Sequence, residues 1–195
     1  MIAVVDEAMV VRGAAGYVLV AVLIADDRRA VVRSAAQRVV PRRRRFHFHD
    51  EEDREKRAML QLVADEALEA HAVIASPCPP REREAIRQRL LTELAVAVAS
   101  RPAVELTIES RDIHNDRLDR MTLIQARRGG LIPEDMAYVH RRPTDEPLLW
   151  LADGLAGAAR AGLLLRDTTW LQQLPTGLLS VRRFSPAGLL TKEAG

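Results

Sequence analysis

Cysteine is almost missing from this chain: Cys78 is the only one. No intrachain disulfide can form, and no cysteine-based metal site can be built. Cys78 also stands among prolines without a base beside it, so no catalytic thiol is expected. Such usage suits a reducing compartment, and no charged-then-apolar targeting segment is present, so a cytoplasmic protein is expected. Long apolar runs are lacking too. The longest, such as Tyr17 to Ala25, fall short of the roughly 20 residues that a membrane-spanning helix needs, and no membrane partner is expected. Lysine is nearly absent, since Lys56 and Lys192 are the only two. The other cations are arginines, a bias that a GC-rich genome explains as well as a use for bidentate phosphate contacts does. Gly-rich phosphate loops, a Gly-x-Ser-x-Gly elbow and a His-Glu-x-x-His helix are all missing, which argues against nucleotide-loop, serine-hydrolase and zinc-protease chemistry.

What remains is an ordinary globular composition, 48% hydrophobic and 29% charged with a formal net charge of +2. A chain of 195 residues is long enough to bury roughly 70% of its unfolded surface in one domain. No repeat, linker or low-complexity block divides it, and nothing in the pattern specifies a homodimer.

The patterning predicts an α/β fold. Ile2 to Glu7 is a short apolar run ending in two carboxylates, and Tyr17 to Ile24 is a second. Separated by the turn-forming Gly13-Ala14-Ala15-Gly16, they read as a hairpin. Arg29 to Val40 suits a short helix stopped by Pro41. Phe46-His47-Phe48-His49 alternates with period two and predicts a third strand. Helical spacing then covers Glu51 to Ala70, and His71 to Ala75 reads as a buried fourth strand. A second long helix is expected over Arg81 to Ala99 and a fifth strand over Val104 to Glu109. Asp112 to Arg127 predicts a third long helix, on which the charges from Asn115 to Arg120 suit capping and surface pairing. Met136 to Arg141 predicts a short strand, and Pro147 opens a helix through Ala158. The tail from Leu163 suits an extra helix and strand. A meander followed by alternating helices and strands implies a mixed sheet covered by helices.

The acidic residues are the informative set. Asp6 ends the first predicted strand, Glu109 ends the fifth, and Asp153 lies in an otherwise apolar late helix. A carboxylate buried at such places is costly unless paired, hydrogen-bonded or bound to metal. Asp153 reads equally as the solvent face of its helix. Three carboxylates converging at strand ends would make a hard-oxygen cage for Mg²⁺ or Mn²⁺. Two such ions about 4 Å apart would activate a water and stabilise the leaving oxygen of a phosphodiester.

Val4-Val5-Asp6-Glu7 and the late stretch Leu149-Trp150-Leu151-Ala152-Asp153-Gly154-Leu155-Ala156-Gly157 resemble the bacterial domain-of-unknown-function 3800 family, whose fold is ribonuclease H-like. Members begin with a strand followed by Asp-Glu-Ser-Gly and close with a helix carrying Leu-Ala-Asp. Here Ala8 replaces the Ser and no Gly follows it directly. The match runs from Ile2 to about Gly162, which implies one ribonuclease H-like domain over 1–195 with a core of about 1–162 and a C-terminal extension over 163–195. The resemblance implies that Asp6 and Asp153 are the first-strand and last-helix carboxylates of a divalent-metal site, with Glu7 accompanying Asp6. Glu109 or Asp112 would supply the middle carboxylate, a place that Glu51, Glu52 and Asp116 contest.

Two other features bear on a site. His47 and His49 at i, i+2 share one face of a strand and would assist proton transfer or phosphate orientation, or simply form a polar strand end. Arg42, Arg43, Arg44 and Arg45 would contact a nucleic-acid backbone, or balance the acidic run after them. The expected function is a metal-dependent nuclease acting on phosphodiesters through Asp6, Glu109 and Asp153. The alternative is a non-catalytic ribonuclease H-fold protein that binds nucleic acid or a protein partner.

Overall fold

The computed structural model describes residues 1–11, 15–40, 45–66, 68–101 and 105–184. Parts of several predicted features lie outside them: the Gly13-Ala14 turn, Pro41, the arginines Arg42 to Arg44, Val104 and the tail from Ser185.

The two apolar runs form strands β1 (Ile2–Val10) and β2 (Gly16–Ile24), paired antiparallel from Ile2 opposite Ile24 to Val10 opposite Gly16. Every residue of β2 is buried, as a continuous apolar run covered on both faces should be. Strand β3 (Ala70–Ala75) adds antiparallel to β2, while β4 (Glu105–Glu109) lies parallel to β1 and β5 (Tyr138–Arg141) parallel to β4. A strand from the C-terminal segment, β6 (Leu179–Phe184), closes the other edge parallel to β3. The result is a mixed six-stranded sheet in the order β5-β4-β1-β2-β3-β6.

Helices cover both faces. On one side α1 (Arg29–Val39), α2 (Asp53–Asp65) and α5 (Leu149–Ala159) bury Ile2, Val4, Val18, Val20 and Val22. On the other, α3 (Arg83–Val98) and α4 (Ile113–Arg128) pack on Ala3, Val5, Tyr17, Leu19 and Ala21. Alternation along β1 sends even and odd positions to opposite cores. Cys78 is buried, and burial pushes its thiol up. Among the described residues, no helix is long and apolar enough to cross a membrane.

Three local expectations are corrected. The first strand does not stop at Glu7 but continues through Ala8, Met9 and Val10, because β2 pairs with it as far as Gly16. Asp6 therefore lies inside a strand rather than at its end. The segment Phe46 to His49 is not a strand; it runs irregularly into a turn at 48–50. Its alternation comes from tertiary packing, since both phenyl rings are buried on the core side while the histidines face outward. The third strand of the meander is thus β3, reached only after α2. Finally, the charges early in α4 are not all surface pairs, because Asp116 and Asp119 are buried.

Helix α5 is buried at every residue. Its small residues let the 46–48 segment approach closely. A Cβ on Gly157 would stand 2.2 Å from Phe48 Cγ, whereas one on Gly154 would first meet the flexible Met59 side chain at 3.0 Å. Gly157→Ala is accordingly expected to cost about 1–3 kcal/mol through overpacking. At about 2–4 °C of Tm per kcal/mol for a chain of this size, thermal melts will separate it from a nearly neutral Gly154→Ala. Equal melting of the two variants would contradict this packing account.

Candidate active site

Strand register brings the first two carboxylates together. β1 and β4 run parallel with Val5 opposite Ile108, so one step further sets Asp6 beside Glu109. Both residues alternate away from the core that holds Val5, Leu106 and Ile108. They face α5, which packs against β1 and β4 and carries Asp153. Asp6 and Asp153 are only 9% and 8% exposed.

The electrostatics of this meeting are unfavourable as they stand. Burial first, then the negative charges of Glu109 and Asp153, hold the Asp6 carboxyl well above its ordinary value. Burial and the Asp153 charge likewise raise Glu109, which lies within hydrogen-bonding reach of Asp6 and feels the cation of Arg45. The backbone N–H of Glu7 donates to Asp6 Oδ1 at 2.7 Å. Asp153 is better provided for. Its Oδ2 lies 3.1 Å from His47 Nδ1, and the Phe48 N–H donates to Oδ1 at 3.4 Å. That contact with Asp153 raises the His47 imidazole above its usual value, so the half-exposed ring tends toward its cationic form. The burial of Phe46 and Phe48 against the core is what directs His47 to this place.

The donor chemistry fits a hard divalent cation. Asp6 is buried and Glu109 half-buried; a cation would offset the negative charge gathered there by these two and Asp153, and carboxylates are the donors that Mg²⁺ and Mn²⁺ prefer. Among the described residues, however, no group of three His, Cys, Asp or Glu side chains stands in a ready-made metal cage. The other contenders for the middle carboxylate sit elsewhere. Asp112 caps α4, accepting from Asn115 N at 2.9 Å, and that bond holds its exposed carboxyl low. Asp116 accepts from Ser110 Oγ and the Arg111 N–H. Glu51 is buried below the His47 N–H, which donates to it at 3.4 Å, and Glu52 precedes α2. His49 is exposed.

A cleft of about 440 Å³ opens over Asp6 and Glu109 and is lined as well by His47 and Arg45. It adjoins a second hollow of about 310 Å³ that shares Arg45, Glu109, Ser110 and Arg111 and adds Arg142 and Thr144. Of the predicted arginine run, Arg45 is the described member, and it borders both hollows.

Glu7 points through the sheet to the opposite side, into a charge network that sequence reasoning missed. Arg87, 1% exposed in α3, donates through Nε to Glu7 and through Nη1 to Asp119 of α4. Asp119 also accepts from Arg111 Nη2 at 3.3 Å and lies 3.2 Å from His140 Nε2. Burial pushes the Asp119 carboxyl up, but His140, Arg87 and Arg111 together hold it below its ordinary value. A readable signal existed: Arg87 precedes Leu90, Leu91 and Leu94 on the buried stripe of α3, and Asp119 precedes Leu123 and Ala126 on that of α4. A charge at a stripe position needs a buried partner.

No family model matches the chain, and no curated protein matches it. Solved structures do. Ribonuclease HII from Archaeoglobus fulgidus, determined in complex with PCNA, is similar with a TM-score of 0.56 at 19% identity, over 91% of this chain and 80% of that one. Ribonuclease H2 from Pyrococcus horikoshii gives a TM-score of 0.53 at 12% identity, over 89% and 81%. At these identities the likeness is one of fold, and the fold is ribonuclease H-like: a mixed sheet flanked by helices.

Proposed function

We propose that this protein is a divalent-metal-dependent nuclease acting on phosphodiester bonds of nucleic acid, with Asp6, Glu109 and Asp153 as its metal-binding and catalytic carboxylates. The observation that carries the reading is the convergence of acidic side chains from β1, β4 and α5: the charges of Glu109 and Asp153 hold the Asp6 carboxyl up, and the charge of Asp153 raises Glu109. Gathering carboxylates in a water-poor place is expensive, and a bound cation would offset that cost. Mg²⁺ or Mn²⁺ bound there would supply Lewis-acid polarisation of the phosphoryl group and a lowered pKa for water. Asp6 and Glu109 would hold the ion. Asp153, steadied by His47 and the Phe48 N–H, would complete the negative wall. His47, which lines the cleft and is raised toward its cationic form, would give a proton to a departing oxygen. The fold shared with the two ribonucleases agrees with this reading.

The second reading, a non-catalytic protein of the same fold that binds nucleic acid or a partner protein, takes its support from the absence of a closed cage among the described residues. The two separate by assay. Incubation with Mn²⁺ and end-labelled single- and double-stranded DNA and RNA is expected to give metal-dependent cleavage of at least one substrate. Binding without cleavage of any of them would favour the second reading.

Metal binding has a further signature in stability. Asp6 and Glu109 are raised from 3.8 and 4.5. The stability gained by keeping them protonated is full below the ordinary carboxylate range and is lost as pH climbs through the raised values. A bound cation offsets that loss. At about 100 times its Kd a ligand stabilises by about 2.7 kcal/mol, or roughly 5–10 °C of Tm. Mn²⁺ is therefore expected to raise Tm by that amount at pH 8 and by much less at pH 5. An equal shift at both values would speak against these carboxylates as the site.

A further inference from the structure

The carboxylates account for the floor of the cleft but not for the cations along its side. In the adjoining hollow Asp112 is engaged with Asn115, and Asp116 with Ser110 and the Arg111 N–H, while Glu109 turns to Asp6 and the carboxylate site. Arg111 is engaged as well, clamped by Glu84 at 2.9 and 3.2 Å and by Asp119. Arg45 and Arg142 are not. Both are exposed, and among the described residues neither guanidinium has an ion-pair partner. Arg45 stands close enough for its charge to act on Glu109 and on His47. Arg142 is held in position by its own turn, since its carbonyl accepts from the N–H groups of Asp145 and Glu146. The start of α4 is not the anion donor here, because the Asp112 side chain already occupies it.

We infer that Arg45 and Arg142, backed by the fixed guanidinium of Arg111, form a seat for a backbone phosphate next to the one at the carboxylates. Arg45 and Arg142 line one hollow from different segments, and a phosphate held between their guanidiniums would accept bidentate hydrogen bonds and offset the two like charges. The hollow opens directly onto the acidic cleft through Glu109 and Ser110, so the seated phosphate belongs to the same strand. The substrate class that follows is an internal stretch of polynucleotide carrying a charged phosphate on the flank of the scissile bond, not a mononucleotide. The polynucleotide in this statement rests on the nuclease reading; anion binding at the seat does not.

The test measures binding without chemistry, by fluorescence anisotropy of a labelled single-stranded 12-mer in Ca²⁺ over a salt series. Arg45→Gln and Arg142→Gln are each expected to weaken binding about tenfold and to reduce the salt slope by about one unit. Arg128→Gln, an exposed arginine of α4 away from the hollow, is expected to change neither. A single neutral methylphosphonate at the flanking position should weaken the parent by a similar factor and leave the Arg45→Gln/Arg142→Gln double variant unaffected. These results with no cleavage in Mn²⁺ would remove the nuclease reading and keep the seat. Unchanged affinity in the two variants, or an equal loss in Arg128→Gln, would overturn the seat whatever the cleavage assay shows.

Discussion

Asp6→Asn is expected to lower Mn²⁺-dependent cleavage by at least about 100-fold while melting at the same temperature as the parent or higher. Loss of Lewis-acid assistance removes several kcal/mol of transition-state stabilisation, and each 1.36 kcal/mol is worth tenfold in rate. The stability side of the prediction is what distinguishes it. Asp6 is buried and is raised by burial and by the charges of Glu109 and Asp153, so its ionised form works against folding at neutral pH. Asn keeps the shape and still accepts from the Glu7 N–H, but it removes one of the three converging charges. A residue kept at a cost to stability is a mark of function. If Asp6→Asn retained full activity, Asp6 would have no part in the chemistry. If it lost activity and melted far below the parent, its carboxylate would be holding the strand rather than a cation.

The opposite balance is expected on the other face of the sheet, where Asp119→Ala should destabilise by about 3–5 kcal/mol, or roughly 6–20 °C of Tm. Arg87 and Asp119 are essentially excluded from water. Removing the carboxylate leaves Arg87 with Glu7 alone and strips Arg111 and His140 of an acceptor. Most of the cost is the uncompensated buried charge, not the lost attraction. A paired replacement, Arg87→Met with Asp119→Leu, is therefore expected to recover much of the loss, because Glu7 at the edge of the cleft can then face water. A double variant as unstable as Asp119→Ala would show that packing, not charge, sets the penalty. Through Glu7 this network also anchors β1 at the residue after Asp6.

Much of this arrangement was legible in the sequence. The continuous apolar runs of β2 and β3, the strand that stops at Glu109 and the apolar helix around Asp153 are patterns that burial on two faces writes plainly. The stretches carrying the family resemblance are those that hold Asp6 and Asp153. What could not be read depended on contacts between distant segments. Period-two alternation at Phe46 to His49 predicts a strand because local pattern cannot tell a sheet face from two rings packed beneath one helix. Asp6 read as a strand end because two adjacent carboxylates resemble a terminus, while pairing with β2 carries β1 on to Val10. Glu7 had no readable role because its partner, Arg87, lies 80 positions away in the chain. The proposal of Glu109 over Asp112 rests on strand register in one case and a helix cap in the other, neither of which local pattern shows.

The central claim is that side chains from β1, β4 and α5 make one cation site, and calorimetric titration with Mn²⁺ at pH 8 tests it most directly. The parent is expected to bind, and Asp6→Asn, Glu109→Gln and Asp153→Asn are each expected to bind at least about tenfold more weakly, with Asp112→Asn unchanged. Parent-like Mn²⁺ binding in all three carboxylate variants would contradict the account.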